Sequence, residues 1–307
     1  LFKDAESLVS VSIPKVATLK ELKHKEILLT MIKHEYEQIT HIDSDADGIR
    51  NVKITQEFYD SLKNLYNKEH TNFSDEDYEF ISLLHKIRYN KAPKSRPNYL
   101  NKNLDVELYH KTYKESDPHI IVIDDFLEKT FLDDLRKYFR CANIFKYPYL
   151  RGYIGAFLGK GMANKPILEL SKELRDTFPE IFKMSNLSQA WAFKYDSQQK
   201  GISIHADDAK VNVNFWITDD SANLDKQSGG LVIWKSKPSL DTKFTDYNSL
   251  DSVPKMENEV KNIDSITIPY KANRAIVFDS RLYHATDEIN FKDDYINRRI
   301  NVTFLYK

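Results

Sequence analysis

His205 and Asp207 stand two residues apart in the stretch Gly201–Thr218, GISIHADDAKVNVNFWIT. Along extended backbone, side chains two apart point to the same side, so this imidazole and this carboxylate can close on one metal ion. A second imidazole would complete the two-histidine, one-carboxylate face that suits non-haem Fe(II). His284 can supply it, because Arg274–Thr286, RAIVFDSRLYHAT, reads as an apolar strand, a turn at Asp279–Ser280 and a second short strand that carries His284. A lone H-x-D arises often by chance, and a surface histidine beside an aspartate is usually just solvated. Order and surroundings are what give this one weight.

The surroundings alternate. In Val211–Ile217, Asn212, Asn214 and Trp216 share one face while Val211, Val213, Phe215 and Ile217 share the other. Two asparagines make poor core unless their amides are satisfied, so a ligand or ordered water is expected to meet them; the plain alternative is a strand face in water. The last strand, Arg299–Tyr306, RINVTFLY, repeats the pattern: Ile300, Val302, Phe304 and Tyr306 pack outward, leaving Arg299, Asn301, Thr303 and Leu305 on the other face. An arginine on a cavity-facing strand wants a carboxylate, which its planar fork binds in bidentate fashion. Arg298 is adjacent, and strand parity favours Arg299.

The succession Tyr195, His205-x-Asp207, Gly229–Gly230, His284 and Arg299 resembles the Fe(II)/2-oxoglutarate-dependent dioxygenase superfamily, nearest its prolyl-hydroxylase-like branch, over roughly residues 117–307. The resemblance implies that His205, Asp207 and His284 hold the iron and that Arg299 grips the distal carboxylate of 2-oxoglutarate. Tyr195 would hydrogen-bond the same cosubstrate, with Asn214 and Thr303 beside it. It implies an α+β fold, a double-stranded β-helix or jelly-roll core with supporting helices. It also implies a reaction, in which a substrate is hydroxylated with O2 while 2-oxoglutarate is decarboxylated to succinate and CO2. One departure concerns the strand after H-x-D, where the branch often has a cosubstrate-facing tyrosine and this chain has Asn212, Asn214 and Trp216. Asp207 itself favours hydroxylation over halogenation, since the resembling halogenases have a small residue there. Two other readings stay open: a cupin-like metal-binding jelly roll without 2-oxoglutarate, which would not need Arg299, and a catalytically inactive binding module, which would hold no metal. The substrate, a small molecule or a protein, is not identified by these residues.

The elements that must position this set follow from the rest of the chain. At 307 residues and 36.0 kDa it has room for one large domain or two modest ones. A net charge of −1 removes any global electrostatic case for nucleic acid. Cys141 is the only cysteine, so no internal disulfide framework exists and a reducing cytoplasm fits. No apolar run approaches the roughly 18 residues of a membrane span. The start lacks a signal-peptide pattern, and the chain opens at Leu1 rather than methionine, which leaves upstream residues open. Oligomeric state is equally open.

Apolar residues at near-helical intervals predict helices from Thr18 to about Thr40, over Phe58–Tyr66 and over Asp75–Ile87 with Ser74 as N-cap. Asp43–Gly48, DSDADG, imitates the start of a calcium loop, but the glutamate expected at its twelfth position falls on Ile54, which favours an acidic turn between helices. Residues 1–115 thus form an α-helical N-terminal region, and residues 116–307 the double-stranded β-helix oxygenase domain, with the boundary near Glu115. Within the latter, His119–Ile123 is a strand, Phe131–Phe139 and Pro166–Phe178 are helical, and Leu187–Tyr195 is a strand with Gln189, Trp191, Phe193 and Tyr195 on one face. Cys141–Lys165, rich in glycine and aromatics, is either a substrate-facing wall or a twisted hairpin packed into core. Trp234–Asp264 lacks periodicity and is expected near the mouth as a lid or inserted element. Lys194 and Lys210 are candidates to draw an acidic substrate, or else solvated surface.

Overall fold

A computed structural model describes residues 14–44, 54–68, 71–197 and 201–307. Its strands are β1 (Ile120–Ile123), β2 (Tyr147–Tyr149), β3 (Tyr153–Phe157), β4 (Leu187–Tyr195), β5 (Val211–Trp216), β6 (Leu231–Trp234), β7 (Ser265–Ile268), β8 (Ala275–Asp279), β9 (His284–Thr286) and β10 (Ile300–Tyr306). They form a seven-stranded antiparallel sheet, in the order β1-β8-β5-β10-β4-β3-β2, and a three-stranded one, β7-β6-β9. From β5 the chain crosses to the small sheet for β6 and β7, returns for β8, crosses for β9 and returns for β10. That winding is a double-stranded β-helix.

Alternation divides each strand of the large sheet between two environments. Val211, Val213 and Phe215 of β5, Ala275 and Val277 of β8, and Ile300, Val302, Phe304 and Tyr306 of β10 are buried in a core shared with the helices. The opposite face looks toward the small sheet, where Trp216, Ile276 and Phe278 pack with Leu231 and Ile233. The inward polar residues Asn212, Asn214, Asn301 and Thr303 line a cavity in that same interlayer space.

The helices back the large sheet. α1 (Val16–Lys20), α2 (Glu26–Asp43), α3 (Gln56–Tyr66), α4 (Asp75–Leu84) and α5 (Val106–Glu115) precede it, and α6 (Lys129–Cys141), α7 (Lys165–Thr177), α8 (Pro179–Phe182) and α9 (Val253–Val260) lie between strands. The expected helix from Thr18 to Thr40 is broken between α1 and α2. Both helices touch α4, but α2 packs mainly on α3 and reaches α6, β2 and β3 as well, so the chain turns between them to meet a second set of partners. Ser74 caps α4 as expected, in a reciprocal capping box with Asp77. α5 was not expected, since it buries no residue fully and has little apolar signal; Asp105 caps it by accepting from the Leu108 N–H. The stretch from Asp45 to Gly48 lies outside the described residues.

Leu28, Met31, Ile32 and Ile39 of α2 belong to the same continuous core as Ile154, Ala192, Val302 and Phe304 of the sheet. Residues 234–264 fold into short helical turns and α9, and Tyr247, Val253, Met256 and Val260 pack on Ile204, Ala206, Tyr283 and Ala285. That cluster holds the segment against the backbone on either side of His205 and His284.

Candidate metal and cosubstrate site

His205 precedes β5, and a reciprocal backbone bridge fixes it across from His284. The His205 N–H donates to the His284 carbonyl at 3.0 Å, and the His284 N–H to the His205 carbonyl at 2.8 Å. The rings come to 4.2 Å between centroids, and His284 Nε2 lies 3.5 Å from Asp207 Oδ2. One ligand atom from each of His205, Asp207 and His284 lies within 4.8 Å of the others; among the described residues no other set of His, Cys, Asp and Glu side chains meets this way.

Each imidazole is oriented by a carbonyl: His205 Nδ1 lies 2.8 Å from Ser203 O, and His284 Nδ1 2.8 Å from Leu282 O. A carbonyl only accepts, so each Nδ1 carries the proton and each Nε2 keeps its lone pair for the metal. Burial and the neighbouring His284 pull the His205 pKa down to about 4, which leaves it a neutral ligand at pH 7. Burial works against the charge on Asp207, but the two histidines and Asn248 together hold its carboxyl below the ordinary value. Asn212 Nδ2 donates to Asp207 Oδ2 at 3.1 Å, and Asn248 Nδ2 reaches Oδ1 at 3.4 Å while donating to the Ala206 carbonyl at 2.7 Å.

Deeper in, strand parity separates the two arginines as expected. Arg298 turns to the helical side and pairs with Glu37. Arg299 turns into the cavity and is 2% exposed. Its guanidinium lies 4.8 Å from the Tyr195 ring centre and 5.6 and 5.9 Å from those of Trp216 and Tyr270. Nε donates to the Gly229 carbonyl at 2.6 Å and Nη2 to the Gly230 carbonyl at 3.2 Å. Gly230 is confined there, since a Cβ would sit 1.9 Å from the Ile268 carbonyl oxygen. No described carboxylate forms an ion pair with Arg299. A buried cation held by carbonyls, the Asn301 side-chain oxygen and ring faces, with no carboxylate in direct contact, is suited to a ligand carboxylate.

The polar atoms between triad and arginine fit a polar guest. Asn212 Oδ1, Asn214 Oδ1 and Trp216 Nε1 are enclosed and unpartnered. Thr303 Oγ1 accepts from Asn214 Nδ2 at 3.1 Å and from Asn301 Nδ2 at 3.2 Å, so its own proton is free for a further acceptor. Tyr195, at the end of β4, lines the same cavity. The expected residues Tyr195, His205, Asp207, Asn214, His284, Arg299 and Thr303 all border this one space.

Above it opens an outer cleft of about 530 Å³ that shares Trp191, Phe193, Ile202, His205 and Asp207 with the inner cavity. The aromatic stretch forms one wall as the β2–β3 hairpin, with Tyr149, Tyr153 and Phe157 facing the cleft. Phe244, Ser249, Leu250 and Val253 of the aperiodic segment form the opposite lip. Lys194 is a correction to the expectation of a residue at the mouth. Parity puts it on the helical face of β4, where it is fully buried against Tyr295 and His34. Lys210 is exposed and lies outside the cleft lining. Asn248 and Tyr270 went unnoticed in the sequence: both sit in irregular segments where no period marks a facing residue.

No family model and no curated protein matches the chain. Among solved structures, similar chain paths include the non-haem α-ketoglutarate-dependent epimerase SnoN from nogalamycin biosynthesis, 10% identical, TM-score 0.48, covering 66% of this chain and 82% of that one. The carbocyclase SnoK from the same biosynthesis is 11% identical, TM-score 0.45, covering 69% and 87%. A prolyl hydroxylase from Trichoplax adhaerens is 13% identical, TM-score 0.42, covering 67% and 94%.

Proposed function

We propose that this chain is an Fe(II)- and 2-oxoglutarate-dependent oxygenase, and that its reaction is hydroxylation or a closely related oxidation of a substrate held in the outer cleft. The observation that carries the reading is the pairing of two features in one cavity. Three metal-suited ligand atoms lie within 4.8 Å of one another, and a buried arginine without a carboxylate partner stands across the cavity. A cupin-like site would have no use for that arginine.

On this reading His205 Nε2, His284 Nε2 and a carboxylate oxygen of Asp207 hold Fe(II). The bound iron supplies the oxidising chemistry, in which 2-oxoglutarate and O2 are consumed, succinate and CO2 are formed, and one oxygen atom goes to the substrate. The chain's own residues bind and orient. Arg299 takes the distal carboxylate of 2-oxoglutarate, and the Gly229 and Gly230 carbonyls hold its guanidinium in plane for that contact. Thr303 donates its free hydroxyl proton to the same carboxylate. Tyr195 stacks on the guanidinium and offers its hydroxyl from the β4 side. Asn212 and Asn248 keep the Asp207 oxygens charged and fixed. The apolar walls of Trp191, Phe193 and Leu231 exclude water around them.

The reading is tested by incubating the protein with Fe(II), 2-oxoglutarate and ascorbate in air and measuring succinate. Succinate should form slowly without added substrate and fall to background in His205→Ala. Succinate equal in wild type and His205→Ala would refute it.

A further inference from the structure

The outer cleft carries more chemistry than the metal site needs. Its hairpin wall is aromatic over a continuous area: the Tyr149 and Tyr153 rings stack at 4.7 Å and 5°, and Phe193 stands edge-on to both at 87–89°. Trp191 continues the wall toward His205. The facing lip presents Phe244 and Leu250, which are 49% and 55% exposed despite their apolar character. Two apolar surfaces facing across a gap, with the metal ligands at the floor, suit a ring-bearing apolar body that enters between them.

The charge at the mouth is one-sided. Asp208 is already paired with Lys307 at 2.6 Å, so these two cancel. Arg151, at the tip of the same hairpin, makes no hydrogen bond or ion pair with any described residue, yet it lines the cleft. Its backbone has φ of 75°, a left-handed conformation that glycine or asparagine adopts more readily. That φ, shared in sign by the next residue Gly152, belongs to the tight turn of the hairpin; the turn projects a guanidinium with no partner among the described residues beside a stacked tyrosine pair.

We infer that the substrate is a small organic acid: an apolar ring system gripped between the aromatic hairpin and the Phe244–Leu250 lip, with a carboxylate or equivalent anion on Arg151. The inference rests on the proposed oxygenase reading only for calling this molecule a substrate; the binding chemistry of the cleft stands without it. The anion fixes which end of the ring faces the mouth, and hence which carbon faces His205 and Asp207.

The test uses a matched pair of probes, 2-naphthoate and 2-naphthalenemethanol, which share a ring and differ in charge. Dissociation constants are measured by ligand-observed NMR on metal-free and on Co(II)-loaded protein. Wild type should bind the acid roughly tenfold more tightly than the alcohol, the scale of one charge-assisted contact. Arg151→Gln should abolish that preference and leave the alcohol unchanged, Arg151→Lys should restore much of it, and Tyr153→Leu should weaken both probes. Co(II) should broaden the signals of the bound acid, which locates it beside the triad. Equal binding of the two probes by wild type, or an acid preference that survives Arg151→Gln, overturns the inference. So does stronger binding of the alcohol, the result expected if the cleft takes a neutral sugar or peptide. Failure of Co(II) to bind while the metal-free titration keeps its Arg151-dependent preference would count against the oxygenase reading and leave the cleft chemistry standing.

Discussion

At the scale of single residues, the candidate site is a set of side chains whose neighbours leave each with one unused capacity. His205 and His284 spend Nδ1 on carbonyls and keep Nε2. Thr303 spends its lone pairs on two amides and keeps its proton. Asn248 belongs to this logic, because it ties the lip of the outer cleft to the Asp207 carboxylate. Asn248→Ala is expected to weaken Co(II) binding by roughly ten- to a hundredfold, the usual effect of losing a partner that orients a ligand, with little change in folding stability. Calorimetric titration with Co(II) and a thermal melt check both halves. His205, Asp207 and the choice of Arg299 over Arg298 are legible in the sequence because two-residue spacing and strand parity are local properties, whereas His284 is legible only from its place in the order of motifs. Asn248 is not, because its contact to Asp207 depends on how an aperiodic segment packs through Tyr247 and Met256.

At the scale of elements, β10 separates two tasks by alternation. Arg299, just before the strand, and Asn301 and Thr303 within it serve the cavity, while Val302, Phe304 and Tyr306 serve the core under the helices. Phe304→Ala should therefore cost about 3–5 kcal/mol of stability through the cavity it leaves, while metal affinity measured below the lowered melting temperature stays near wild type. Denaturant unfolding and Co(II) titration together read that separation. The loop into β6 does the opposite and joins two tasks at one glycine. Gly230→Ala would drive a Cβ against the Ile268 carbonyl and displace a carbonyl that holds Arg299. It should lower 2-oxoglutarate affinity roughly tenfold and cost about 1–3 kcal/mol of stability, leaving Co(II) affinity in the absence of 2-oxoglutarate unchanged. Paired glycines in a sequence announce tight backbone approach, and which carbonyl they would present was beyond reach without the β6–β7 register. The break between α1 and α2 is hidden for a similar reason, since the apolar period continues while α2 adds α3, α6, β2 and β3 to the α4 contact it shares with α1.

At the scale of the molecule, the N-terminal helices and the β-helix share one core, and the seam between them is unusually polar. Lys146 is buried against Glu35 at 2.5 Å, and Lys194 lies among His34, Tyr295 and the Phe139 carbonyl with no carboxylate in its hydrogen-bonding shell. Burial pulls Lys146 down to about 8 and Lys194 well below its ordinary value. Both lysines bind protons more weakly folded than unfolded, so stability must rise with pH from the folded pKa values up to the unfolded value near 10.5. Buried tyrosines such as Tyr295 act with the opposite sign, because burial raises their pKa, and they lower stability once pH passes the unfolded value near 10. The melting temperature should thus climb from pH 7 to about pH 9.5 and then fall. In Lys194→Met the climb should be shallower, and an undiminished climb in that variant would show that Lys194 is charged at neutral pH. Periodicity locates α2, α3 and α4 of this layer but not α5, and a buried lysine is read from sequence as surface, because its type outweighs its parity on the strand.

The central claim, that the triad and Arg299 form one iron and 2-oxoglutarate site, is tested most directly by anaerobic titration of the metal-free protein with Fe(II) and then 2-oxoglutarate, followed by visible absorption. Wild type is expected to develop the weak charge-transfer band of the 2-oxoglutarate chelate at one equivalent of iron. His205→Ala should show none, and Arg299→Ala should need at least tenfold more 2-oxoglutarate to reach it. Iron-loaded wild type that shows no band at saturating 2-oxoglutarate, or a band indifferent to Arg299, would contradict the account.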